Sequence, residues 1–88
     1  MKYSIKKTQP CADYGKITLE GEFEDISKNK LLQNLKEEFT EIKNISKGKI
    51  IIAKNNYSQI YLYDENRFVM NNLINEEYGR NVLDKILK

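Results

Sequence analysis

Two stretches of the chain place their hydrophobic residues regularly enough to predict an element. Over residues 16–23, Ile17, Leu19 and Phe23 share one side of an extended chain and polar residues occupy the other. A period of two predicts a β-strand with one buried face. Over residues 28–40, the hydrophobic residues instead recur at the spacing of one helical face. That stretch is predicted to form an amphipathic helix.

Both predicted helices begin after residues that cap helices well. Ser27 precedes the first, and Asn75 precedes a second helix whose hydrophobic residues again follow helical spacing. Glu76 and Glu77 stand in the first turn of this second helix, where the helix dipole favours negative charge. Gly79 has no side chain, and we expect it to permit close packing of this helix on a sheet.

The remaining segments are predicted as short strands separated by turns. Residues 2–7 are predicted as a strand, and residues 9–15 as a loop, because that loop contains both Pro and Gly. Residues 41–45 fit either the end of the first helix or a short strand. Further strands are predicted at residues 49–54, 57–63 and 67–71, with turns at residues 55–56 and 64–66.

These elements predict a single domain of the α+β class over residues 1–88. Their order is strand, strand, helix, three strands and helix, and the consecutive strands form an antiparallel meander. Because each helix has one hydrophobic side, both must cover the same face of the sheet. We therefore expect a two-layer sandwich: an antiparallel sheet of about four or five strands, two helices on one face, and the other face open.

Composition excludes several classes of site. The 88 residues include no His, no Trp and one Cys. This chain alone therefore cannot build a His-based catalytic triad, a His-ligated metal site or a four-cysteine cluster, and we expect no cofactor and no metal. The 15 Lys and Arg residues nearly balance the 13 Asp and Glu residues. A net charge of +2 does not argue for nucleic-acid binding.

Targeting signals are also not apparent in the pattern. The first ten residues lack the apolar stretch of a signal peptide, and the apolar run at residues 50–53 is far shorter than a membrane span. We therefore expect a cytoplasmic protein without a membrane partner.

Three local features resemble one half of the TATA-box-binding-protein fold. Residues 16–19 form a strand that leads into a helix, residues 57–70 resemble the last hairpin of that fold, and residues 75–77 resemble the acidic start of its final helix. The resemblance implies a half-domain of that fold. The DNA-binding family presents apolar and intercalating aromatic residues on a doubled sheet with strong basic flanks. The chain departs from it because it contains one half only, and because one outer strand presents Glu20 and Glu22.

A second resemblance begins at the single cysteine. Residues 10–17, followed by Gly21-Glu22-Phe23 and Asp25-Ile26-Ser27, resemble the opening of an accessory domain in prokaryotic iron–sulfur proteins that also carry a four-cysteine cluster module. Since this chain has Cys11 alone, the resemblance implies the accessory domain without its cluster. It also implies that the protein partner is a redox or iron–sulfur protein.

The open sheet face is the main candidate site. If Ile60 and Leu62 point inward, the tyrosines of their strand point outward, and tyrosine is enriched at protein interfaces. Three interpretations remain: cross-strand packing, a protein interface, and stacking of bases on the tyrosines. Nearby carboxylates repel phosphate and disfavour the third. The candidate partner-binding residues are Tyr57, Gln59, Tyr61, Tyr63, Arg67, Lys16 and Glu20.

Two further features are weaker candidates. Cys11 is a candidate reactive thiol, because positive charge from Lys6 or Lys7 favours a thiolate; the alternative is a small, partly buried hydrophobic residue. Glu20 and Glu22 lie on one side of a strand about 7 Å apart, a separation that suits chemistry with two carboxylates. An open one-layer face offers no deep pocket, so a solvated acidic surface is favoured.

The sequence therefore favours a small non-enzymatic module that binds a protein partner, or a second copy of itself, through the open sheet face. The alternative is a domain that binds single-stranded nucleic acid or RNA with the same tyrosines and with Lys47, Lys49, Lys54 and Arg67.

Overall fold

Six antiparallel strands and two helices are present in the computed structural model, which describes residues 2–10 and 15–88. The α+β class and the antiparallel sheet with two helices are confirmed. The strands are β1 (Tyr3–Pro10), β2 (Ile17–Phe23), β3 (Glu41–Ile45), β4 (Ile50–Lys54), β5 (Gln59–Tyr63) and β6 (Arg67–Leu73). The helices are α1 (Lys28–Glu38) and α2 (Glu76–Ile86), and a short 3₁₀ turn spans Ser46–Gly48.

The sheet order is β1-β2-β6-β5-β4-β3, and every neighbouring pair is antiparallel. Strands β3 to β6 follow one another as a meander. Helix α1 carries the chain from β2 to β3 at the far edge, and the meander then returns until β6 pairs with β2. Strands β2 and β6 are therefore neighbours in the sheet although they lie far apart in the sequence.

The six strands exceed the four or five that the sequence predicts. The sixth is β3, in the segment that fits either a helix end or a strand. Pairing decides between them: all five residues of β3 oppose residues of β4, and Ile42 lies across from Ala53. A spacing of three between Ile42 and Ile45 is compatible with a helix, so the local pattern alone does not resolve this element.

Three predicted strand boundaries are wrong by a few residues. Strand β1 continues through Gln9 to Pro10, which were predicted as loop; a proline is tolerated there because β1 is an edge strand. Strand β5 begins at Gln59 and not at Tyr57. Strand β6 runs two residues beyond the predicted end at Asn71.

An irregularity in β6 explains its longer course. Asn72 has a φ of 67°, and the pairing shifts so that Thr18 of β2 faces two residues of β6 where one is normal. This is a β-bulge, and it returns Leu73 to the same side of the sheet as Met70. Asn is among the residues that adopt a positive φ most readily.

One face of the sheet packs against both helices and forms the core. Side chains from the strands alternate, with one set buried and the next half-buried or exposed. The helices contribute Leu31 and Leu35 from α1 and Val82, Leu83 and Ile86 from α2. The largest fully buried side chains of the strands are Leu19, Ile60, Phe68, Met70 and Leu73.

Both helices are capped as the sequence predicts. The Ser27 hydroxyl accepts a hydrogen bond from the backbone N–H of Lys30, and the Asn75 side chain accepts one from Tyr78. In α2, Gly79 is buried, and a Cβ there would lie 2.7 Å from Cδ1 of Leu19. The absence of a side chain thus lets α2 approach the sheet closely, as expected from the sequence.

A buried amide and two surface ion pairs join the helices to one another. The Asn34 side chain donates a hydrogen bond of 3.1 Å to the backbone carbonyl of Ile86, near the end of α2. Lys85 pairs with Glu38 at 3.4 Å, and the Nζ of Lys88 lies 3.4 Å from Glu37. Because exposed ion pairs contribute little, the buried amide is the more important link.

Neither helix that the structure describes in residues 2–10 and 15–88 has the length and apolar character needed to cross a bilayer.

Candidate interaction surface

The side of the sheet opposite the helices carries no second layer of described residues, and we call it the open face. Its residues are those that alternate with the buried core positions of each strand. They form rows across the sheet because the register aligns them. The open face comprises Thr18, Glu20 and Glu22 of β2, Arg67, Val69 and Asn71 of β6, Gln59, Tyr61 and Tyr63 of β5, Ile50, Ile52 and Lys54 of β4, and Glu41, Lys43 and Ile45 of β3.

The two strand tyrosines at the middle of the open face are held by their neighbours. Tyr61 and Tyr63 are both half-buried. The side-chain amide of Gln59 donates a hydrogen bond of 3.2 Å to the Tyr61 hydroxyl. The guanidinium carbon of Arg67 lies 5.2 Å from the centre of the Tyr63 ring, which is the geometry of a cation–π contact. These contacts give the rings defined positions before any partner arrives.

Aliphatic side chains extend the tyrosines into a continuous surface, which we call the apolar patch: Ile50, Ile52, Tyr61, Tyr63 and Val69. Ile52 and Val69 oppose Tyr61 on its two neighbouring strands, and Ile50 opposes Tyr63. All five side chains are half-buried. A strip of apolar atoms therefore crosses three adjacent strands on the side without helices.

Charged residues lie at the two ends of the apolar patch. Glu20 and Glu22 occupy the β2 end, where Lys6 pairs with Glu22 at 3.8 Å. At the β3 end, Lys54 pairs with Glu41 at 3.4 Å. These pairs are exposed and add little stability.

A shallow depression lies at the acidic end of the open face. It has a volume of about 190 Å³ and is bordered by Glu20, Glu22, Tyr63 and Arg67, with Lys6 at its margin. Arg67 also forms an exposed ion pair, in which its Nε lies 3.4 Å from a Glu65 carboxylate oxygen. The depression combines an aromatic wall with two carboxylates and two cations, and it is open to solvent.

The structure brings together five of the predicted site residues and leaves two outside the strands. Gln59, Tyr61, Tyr63, Arg67 and Glu20 share the open face.

The two that are not on a strand are Tyr57 and Lys16. Tyr57 lies in the turn between β4 and β5, where it is 69% exposed and its backbone N–H donates to the Asn55 side chain at 2.8 Å. Asn55 thus stops the strand from extending back to Tyr57. Lys16 is half-buried and precedes the first residue of β2.

Sequence reasoning missed the aliphatic half of the apolar patch. The run from Ile50 to Ala53 is uniformly apolar, so it does not show which side chains face the helices. The register settles this, because Ile51 and Ala53 are buried while Ile50 and Ile52 alternate with them. A signal was nevertheless present in the sequence. A continuous apolar run indicates a strand whose two faces are both apolar.

The sequence also raises the questions of a metal site and of a reactive thiol. Residues 2–10 and 15–88 contain no cluster of three or more Asp, Glu, His or Cys side chains arranged to hold a metal ion. Within the acidic segment, Glu22, Glu24 and Asp25 are exposed and Glu20 is half-buried. The candidate reactive thiol, Cys11, lies outside the described residues, and its role stays a prediction.

Comparison of the chain with protein-family models, curated proteins and solved structures finds no match. The function of the open face is therefore argued from the residues of this chain.

Proposed function

We propose that the protein is a small non-enzymatic interaction module that binds a protein partner through the open face. One observation carries the proposal: the apolar patch crosses three strands and has no covering layer among the described residues. An aromatic and aliphatic strip bordered by charge is the usual composition of the centre of a protein interface.

The charges around the patch form the polar border that a partner would meet. Glu20 and Glu22 border the depression beside Tyr63 together with Lys6 and Arg67, so its two carboxylates are balanced by two cations, one of which already lies over the Tyr63 ring. The proposed partner is therefore a protein surface with an apolar ridge for the patch and polar groups of both signs around it.

The same charges disfavour the alternative of nucleic-acid binding. A strand stacked on Tyr61 and Tyr63 would run its phosphates past Glu20 and Glu22. Of the lysines in the alternative, Lys54 is paired with Glu41 on the open face. The others, Lys47 and Lys49, belong to the turn between β3 and β4.

The proposal includes a finer fold assignment, namely that residues 17–86 are one half of a TATA-box-binding-protein-like fold. The order of elements after β1 supports it: strand, helix, four strands and helix, with β2 next to β6. Strand β1 is an addition at the edge beside β2. The redox or iron–sulfur identity of the partner rests on the segment around Cys11, which is not among the described residues.

A pair of tyrosine variants tests the proposal. Protein carrying Tyr61→Ala and Tyr63→Ala removes the aromatic half of the patch, while Tyr57→Ala removes an equally large ring from the exposed turn. Partners captured from native extract by the wild type are expected to remain with Tyr57→Ala and to be lost with the double variant. With the purified partner, we expect the double variant to bind at least about tenfold more weakly.

Two results would contradict the proposal. One is retention of every partner by a folded double variant. The other is capture of nucleic acid whose binding collapses between low and moderate salt, since phosphate contacts are strongly salt-dependent. A patch-centred protein complex should change little over the same range of salt.

A further inference from the structure

The two edges of the sheet are built differently, and one of them is unprotected. Strand β1 ends at Pro10 and has an irregular register between Ile5 and Lys7, both of which discourage pairing with another chain. Strand β3 contains no proline, glycine or bulge, and its five residues pair regularly with β4 on one side. On its other side, β3 has no strand partner among the described residues.

The side chains of β3 alternate between the two faces of the sheet. Glu41 and Lys43 lie across from Lys54 and Ile52, on the open face, whereas Ile42 lies on the helix side across from buried Ala53. Lys43 is exposed and has no ion-pair partner among the described residues. The edge thus presents one acid and one base on the same face, two positions apart.

These positions are complementary to a second copy of the same strand. When two identical edges pair antiparallel about a two-fold axis, directly opposed residues point to the same face. The axis must therefore pass through a residue. If that residue is Ile42, each Glu41 opposes Lys43 of the second copy, and the two Ile42 side chains meet on the helix side.

The neighbouring registers are less favourable. An axis through Glu41 or through Lys43 would set identical charges directly opposite each other, which destabilises a strand pair. An axis through Asn44 would leave Lys43 facing Ile45 of the second copy without a counter-charge. Charge pairing therefore selects the register centred on Ile42.

We propose that the protein forms a homodimer by antiparallel pairing of two β3 edges in this register. This goes beyond the proposed binding of a partner, because the edge and the apolar patch are different surfaces. The two-fold axis stands perpendicular to the sheet, so both open faces point the same way. Two apolar patches would then lie side by side on one continuous sheet. Since the paired edge is short, the dimer is expected to be weak.

A charge swap tests the register directly. Sedimentation velocity under reducing conditions, which prevent Cys11 from linking chains, should show a reversible dimer as the wild type approaches millimolar concentration. Lys43→Glu and Glu41→Lys should each weaken it about tenfold or more. The double variant Glu41→Lys with Lys43→Glu should restore it, because the opposed pairs are again complementary.

Matched controls separate this pairing from general charge effects and from the open face. Lys30→Glu makes the same change of charge on the exposed side of α1 and should leave the dimer intact. Tyr61→Ala with Tyr63→Ala should also dimerise as the wild type does. Amide exchange in the unmodified protein gives a readout that needs no variant: protection within β3 should increase with concentration, while protection within β1 should not.

Several results would overturn the proposal. They are a wild type that stays monomeric to millimolar concentration, a dimer insensitive to both single variants, or a folded double swap that fails to dimerise. Loss of the dimer in the tyrosine variant would assign self-association to the apolar patch instead. That last result would leave the interaction role of the open face standing, so the two proposals can fail separately.

Discussion

The two faces of the sheet are made by the same strands, yet different forces hold them in place. On the covered face, Ile60, Phe68 and Met70 have no exposed surface and are held by packing on all sides. On the open face, Tyr61 and Tyr63 are half-buried and are held by single contacts with Gln59 and Arg67. Stability therefore depends mainly on one face, and the other is the face through which we propose that a partner binds.

The largest expected difference between the faces is at Gly21 and its neighbour Glu20 in β2. A Cβ at residue 21 would clash with the backbone carbonyl oxygen of Ser4 and would lie 2.9 Å from the ring of Phe68. Gly21→Ala should lower the free energy of unfolding by about 3 kcal/mol or more, since neither neighbour can retreat cheaply. Glu20→Ala should change it by less than about 0.5 kcal/mol. Denaturant titration measures both, and a stable Gly21→Ala protein would refute this packing.

Two adjacent residues of β5, Ile60 on the covered face and Tyr61 on the open face, allow the same comparison when each side chain is shortened to alanine. Ile60 is completely buried, and Ile60→Ala should reduce the free energy of unfolding by about 3 kcal/mol through lost burial and a cavity. Tyr61→Ala should reduce it by about 1 kcal/mol or less, because cross-strand pairs on an open face are weak. Equal losses in urea titrations would show that the open face is as strongly packed as the core.

A polar group inside the covered layer gives an intermediate effect. Asn34→Ala removes the hydrogen bond to the Ile86 carbonyl and leaves that buried acceptor without its donor. We expect a loss of about 1–2 kcal/mol in thermal or chemical unfolding. Asn29→Ala, on the exposed first turn of α1, serves as the control and should have little effect. Identical unfolding curves for the two variants would mean that the buried amide does not link the helices.

The smallest expected effect is the change of stability with pH that Tyr3, in the edge strand β1, contributes. Burial raises the pKa of Tyr3 above its ordinary value of 10.0, and the charge of Asp84 acts in the same direction. Its hydroxyl donates a long hydrogen bond of 3.5 Å to the Arg80 carbonyl. Because the folded state holds this proton more tightly, the stability it contributes is complete below pH 10 and is lost as the pH rises through the raised pKa.

Tyr3→Phe isolates that contribution. The difference in unfolding free energy between the wild type and Tyr3→Phe should be constant below about pH 9 and should shift against the wild type above pH 10. Unfolding measured at several alkaline pH values checks this. Parallel curves for the two proteins throughout that range would show that Tyr3 keeps its proton equally well when unfolded.

The sequence predicts best where local pattern and tertiary packing agree. The residues from Ile17 to Phe23 alternate with the period of a strand. The helices that follow Ser27 and Asn75 each keep the helical period throughout. Strand β3 is ambiguous in the sequence because its identity depends on pairing with β4 and not on its own five residues.

The candidate site was predictable in part for a similar reason. The alternation in β5 assigns Tyr61 and Tyr63 to the open face once Ile60 is placed inward. Ile50 and Ile52 could not be assigned from a uniform apolar run, because only the register with β5 shows which way they point. The bulge at Asn72 could not be predicted from the sequence for another reason. It inserts one residue with a positive φ, so that the buried positions of β6 resume at Leu73 and not at residue 72.

The position of β2 beside β6 also determines the order in which the chain can assemble during synthesis. The meander from β3 to β6 consists of neighbours in sequence and closes only short loops. By contrast, β2 can pair with β6 only after Met70, the residue that opposes Leu19, has left the ribosome. Until then, β1 is the strand available to pair with β2. The proline and the irregular register of β1 make it a poor template for pairing with a wrong partner.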